Sequence, residues 1–133
     1  MNMYKLDNLT KEHLNVLAIA CDLYSRCIAG QLDTVAYSAL DHLPSKEFCE
    51  IRDELDKISG LIKKAYGCSP GIHNDILPED ARIAYDLHQV IRHQIWLDNK
   101  AHRAYVVDAY PCHQTSKKCS PATITNGEPY AHV

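Results

Sequence analysis

The sequence predicts a mainly α protein: a small bundle of three to four helices with an extended or partly disordered C-terminal tail. Three observations predict it. Apolar residues recur at three- and four-residue spacing through several long windows, each bounded by a helix-starting Thr or Pro or a helix-ending Gly. The balance of 46% hydrophobic and 23% charged residues over 133 residues is that of one globular domain, able to bury a core without disulfides or metals. After Tyr105 the periodicity gives way to Ser, Thr, Lys and Pro. We therefore divide the chain into a helical bundle, 1–104, and a C-terminal extension, 105–133.

The first helix opens at Thr10, a good N-cap, and runs from Lys11 to about Ala29. Leu14, Leu17, Cys21, Tyr24 and Ile28 mark its apolar face, and Gly30 stands where a left-handed terminal residue is expected. Residues 31–43 suit either a short helix or an extended segment, with helix the favoured reading. Pro44 closes that segment. The clearest amphipathic helix follows, from Pro44 or Ser45 to Gly67, with Phe48, Ile51, Leu55, Ile58 and Ile62 on one stripe. A turn-rich loop with Pro70, Gly71 and Asn74 leads to Pro78, which starts the last main helix. Ala84, Leu87, Ile91 and Ile95 give its core face, and it should fade between Leu97 and Ala104. Tyr105-Val106-Val107 reads as a short strand and Asn126-Gly127 as a turn.

Composition excludes several classes. A net charge of -3 argues against a general nucleic-acid binder. No stretch approaches the roughly 20 apolar residues that span a bilayer. Residues 1–10 lack a signal-peptide pattern, so a cytoplasmic location is expected. In that compartment the six cysteines stay reduced.

Eight histidines and six cysteines invite a zinc site. Cys112, His113 and Cys119 form the densest cluster, but their spacing is not that of structural zinc ligands. His88 and His93 are five apart and leave a helix on different faces. No nucleophile elbow or phosphate-binding glycine loop is present, so no catalytic residue, metal or cofactor is assigned. The better candidate is a ligand surface. Tyr85, Gln89, Arg92, Trp96 and Arg103 recur on the last helix at roughly helical spacing, with Arg82 and His88 beside them and His73-Asn74 in the loop before it. Arginine forks suit phosphate or carboxylate, and aromatic rings stack on flat bases.

The segments Asp22-Leu23-Tyr24-Ser25-Arg26 with Gly30-Gln31, Tyr66-Gly67, Gly71-Ile72-His73-Asn74 and Ala84-Tyr85-Asp86-Leu87-His88-Gln89-Val90-Ile91-Arg92-His93 resemble a family of small, largely uncharacterised phage and prophage proteins. The cysteine-rich tail departs from that family's pattern. The resemblance implies a bacterial host cytoplasm and a protein that acts by binding, sequestering a nucleotide-derived host immune signal. In that reading Arg26, Arg82 and Arg92 hold phosphates, Tyr85 and Trp96 stack, and His73 and Asn74 read polar edges. A pocket deep enough for such a ligand implies a homo-oligomer. Two other readings stay open: a protein–protein interaction module acting on a host or assembly partner, and a small metal- or thiol-dependent enzyme using His73, His88 or Cys68.

Overall fold

The computed structural model describes residues 2–99 and 111–125. Four helices appear in order: α1 (Lys11–Ile28), α2 (Asp33–Ala39), α3 (Ser45–Tyr66) and α4 (Glu79–Asp98). The chain is therefore mainly α, and among the described residues there is no strand. The ambiguous 31–43 segment holds a short helix. Residues 111–125 of the tail are irregular, with a bend at 117–118. Arg103, the proposed strand at 105–107, the Asn126-Gly127 turn and the 104/105 boundary lie outside the described residues.

The starts of α1, α3 and α4 and the ends of α1 and α3 have local causes. The Thr10 side chain accepts from the His13 N–H at 3.3 Å, and the Thr10 N–H donates to His13 Nδ1 at 2.9 Å. This is a capping box with His in the place of the usual Glu or Gln. Pro44 and Pro78 occupy the N-caps of α3 and α4. Gly67 ends α3 in the left-handed region at φ 79°. Gly30 has φ 81°, and a Cβ there would lie 3.1 Å from Ile62 Cγ2. It thus gives α1 its left-handed exit and lets α3 approach closely.

The main pairing is α1 against α4, while α2 packs on both α1 and α3. Small residues line these contacts: Ala18, Ala29, Ala36, Ala81 and Ala84 are buried, together with Leu77 and Ile91. On α1 the buried row is Ala18 and Ser25 rather than the bulkier expected row, and Tyr24 is exposed. On α3 the expected stripe is similarly turned: Ile58 is exposed and Ser59 is buried. The physical reason is polar satisfaction at close range. Ser59 Oγ accepts the Leu32 N–H at 2.9 Å, at the start of α2, and donates to the Leu55 carbonyl. An unfilled donor at a helix start is thereby met by a buried hydroxyl.

The ends of three helices converge on one cluster. Leu77, Ala29 and Ala81 form its centre, and Ile28, Tyr66 and Ile72 pack around it. Tyr66 Oη donates to the Ile28 carbonyl at 2.7 Å, joining α3 to the end of α1. The loop before α4 is thus anchored from below by Ile72 and Leu77. No helix among the described residues is long and apolar enough to cross a membrane.

Candidate functional site

The site is built where α4, the loop at 71–75 and the segment 111–118 meet. That segment lies along one face of α4, and polar side chains of the helix hold it there. Asp86, itself 3% exposed, accepts from the Thr115 N–H at 2.8 Å, the Thr115 hydroxyl at 2.7 Å and the Ser116 N–H at 3.0 Å. About two turns earlier, Glu79 Oε1 accepts from the Ser116 hydroxyl and from the N–H groups of Lys117 and Lys118. Further along, the Gln89 amide donates to the His113 carbonyl and accepts its N–H, at 3.0 and 3.2 Å. Glu79, Arg82, Asp86 and Gln89 are three, four and three residues apart, which puts them on one side of a helix. The Ser116 hydroxyl, with the N–H groups of Lys118 and Lys117, holds the Glu79 carboxyl below its ordinary range. The Lys117 ammonium, aided by Arg82, does the same for Asp75.

Above this seam is an open cavity of about 340 Å³, lined by Ile72, His73, Tyr85, Gln89, Arg92, Pro111, His113 and Thr115. Arg92 supplies a fixed cation, Tyr85 a ring and a hydroxyl, His73 and His113 two imidazoles, and Ile72 and Pro111 an apolar wall. Such a lining suits an anion attached to a flat ring.

Arg92 is positioned from behind. Its Nη1 lies 3.3 Å from His88 Nε2, and His88 Nδ1 lies 3.1 Å from the Ala18 carbonyl on α1. Because arginine can only donate, Nε2 is the acceptor and His88 is the neutral Nδ1–H tautomer. Asp22 Oδ1 stands 3.8 Å from the same Nε2 and takes the Arg26 Nε at 2.9 Å. Burial pushes the His88 pKa down, against the opposing pull of Asp22. Its folded value therefore lies below its unfolded one, and between the two the unfolded chain binds more protons. The expected result is stability that falls as pH drops from about 6.5 through the lower folded value, and no further contribution below it. Urea midpoints measured across pH 7.5 to 5 should show this slope, and His88→Gln should flatten it. An unchanged slope in the variant would remove His88 as the cause.

Of the sequence-nominated residues, His73, Tyr85 and Arg92 line this one cavity. Asn74 sits at its edge in a structural role: its carbonyl accepts from Arg82 at 2.6 Å and its side chain accepts the Ile76 N–H. Arg82 is 4% exposed at its side chain and is engaged by Glu79, Asp75 and Asn74. Arg26 holds Asp22 and Gln31. Trp96 stacks on His93 with ring centroids 5.9 Å apart. None of these four is part of the cavity lining. Sequence reasoning weighed His113 only as part of a metal cluster with Cys112 and Cys119, and missed Thr115 and the role of Glu79 and Asp86. The spacing of Glu79, Arg82, Asp86 and Gln89 was the available clue to that role.

Among the described residues no group of three His, Cys, Asp or Glu side chains could hold a metal ion. Burial, and then the nearby Asp86 carboxylate, push the Cys112 thiol up, away from the thiolate form a nucleophile needs. Comparison with known proteins finds no matching family model, curated protein or solved structure.

Proposed function

We propose that the chain is a non-enzymatic binding protein that takes up a small, anionic, flat-ringed ligand of nucleotide type in the cavity between α4, the 71–75 loop and residues 111–115. The observation that carries this reading is the convergence of Arg92, His73, His113 and Tyr85 on one cavity of about 340 Å³. That volume falls within the range of small-molecule pockets. In the phage setting that the sequence resemblance implies, holding such a ligand would sequester a nucleotide-derived immune signal in the host cytoplasm. Exposed Val16, Ile19 and Tyr24 on α1, with Ile58 and Leu61 on α3, support a homo-oligomer around this unit. The same exposed side chains also favour a second reading, an interaction module that covers a host or phage protein.

The test is native mass spectrometry and calorimetry of the full chain with cyclic dinucleotides, cyclic trinucleotides and ADP-ribose. One of these should be retained. Arg92→Gln should then weaken binding about 10- to 100-fold, the usual value of a hydrogen bond to a charged group. A melting temperature measured on the same variant separates a lost ligand contact from a lost fold. Indifference to the whole panel, together with capture of a protein partner through α1 or α3, would favour the second reading.

A further inference from the structure

We propose that residues 111–119 form a strap that undocks from α4 as one unit while the helices stay folded, and that its closing completes the cavity. The argument starts from what holds it. Its buried residues are Thr115 and Ser116, while Pro111, His113, Gln114 and residues 117–120 are exposed. It is fastened by hydrogen bonds rather than by an apolar core. The N–H groups of Thr115, Ser116, Lys117 and Lys118 all end on two carboxylates, Asp86 and Glu79. Gln89 grips His113 at one end, and Lys117 meets Asp75 at 2.6 Å at the other.

Each of these bonds is exchanged for one to water when the strap lifts, so even a bond to a carboxylate contributes only part of its strength. Lifting also returns backbone freedom to the whole segment. A segment held this way opens at far lower cost than a helix packed through buried alanines. The consequence for the site is direct, because Pro111, His113 and Thr115 are part of the cavity wall. An open strap removes that wall, and a closed one brings the His113 side of the cavity toward Arg92 and Tyr85. This link to ligand rests on the proposed binding function, whereas the opening itself does not.

Hydrogen exchange of the full chain, read residue by residue without ligand, tests the opening. The amides of residues 115–118 should exchange together, at least about 10-fold faster than those of Ala84 and Ile91 in α4, with little dependence on denaturant. Thr115→Val removes the hydroxyl donor to Asp86, and Ser116→Ala removes the hydroxyl donor to Glu79. Both should speed that group and leave α1 and α4 unchanged. Exchange of 115–118 at the same rate as α4 would overturn the strap. ADP-ribose is the probe for coupling. It should slow the strap amides, and fast opening that ADP-ribose and the cyclic nucleotides all leave untouched would keep the opening while overturning its role in completing a nucleotide cavity.

Discussion

Replacing Arg82 by alanine is expected to destabilise the fold by about 1.5–3 kcal/mol, the usual worth of a hydrogen bond to a charged group. The side chain is 4% exposed and makes contacts of unequal worth. Asp75 is 74% exposed, so its pair with Arg82 is screened by water and adds little. Glu79 is 12% exposed, and the Asn74 carbonyl is reached at 2.6 Å. Alanine would take the guanidinium donors from the Asn74 carbonyl and from Glu79 Oε2, while Glu79 Oε1 keeps Ser116, Lys117 and Lys118. Arg82→Met should recover part of the loss, because its unbranched stem fills the space of the arginine methylenes. Urea unfolding of both variants measures this directly. The result also separates two roles for the residue. A protein that keeps its midpoint and loses only a bound nucleotide would make Arg82 a ligand contact, whereas a fall in midpoint makes it the anchor of the 71–75 loop.

The helix boundaries were legible because their causes are local. Thr10, Pro44 and Pro78 sit at helix starts, and Gly30 and Gly67 sit at exits where a side chain would be strained. The buried faces were less legible. Periodicity finds the bulkiest apolar row, but α1 meets α4 through Ala18 and Ser25, and α3 turns Ser59 inward. Alanine and serine permit close approach, and a one-dimensional pattern ranks them below leucine and isoleucine.

The candidate site divides in the same way. His73, Tyr85 and Arg92 share a cavity because the loop leads straight into α4 and helical spacing sets the rest. Arg26 and Trp96 have suitable chemistry, yet they are held by Asp22 and by His93. Residue type alone could not place them. The seam between α4 and residues 113–118 could not be read at all from that segment, since backbone N–H groups leave no mark in a sequence. Its mark is on the other side, in Glu79 and Asp86 on the helix that receives them. Acidic residues on a helix ordinarily read as a solvated face. Here one of them, Asp86, is 3% exposed, which is tolerable only because three donors meet it.

The second large effect is expected at Leu77, where alanine should cost about 3–4 kcal/mol, within the usual range for truncating a buried leucine. The side chain is 3% exposed and shares a cluster with Ala29, Ala81, Ile28, Tyr66 and Ile72. How much such a truncation costs depends on whether the neighbours can move into the gap. Ala29 and Ala81 cannot, because they end at Cβ on helices already in close contact. Tyr66 is tethered by its hydroxyl to the Ile28 carbonyl at 2.7 Å, so its ring is also constrained. The void should therefore persist. A domain of this size has only about 5–15 kcal/mol in total, so the variant would stand near the edge of folding. Leu77→Met conserves most of the volume and should cost less than about 1.5 kcal/mol. Unfolding curves for the two variants decide the matter, and a loss below about 1 kcal/mol for alanine would contradict a rigid hub. If the hub is rigid, ligand affinity should fall in Leu77→Ala even at temperatures where the chain remains folded. Ile72 lies in both the cluster and the cavity lining, and His73 follows it directly, so loosening the hub moves a wall of the site.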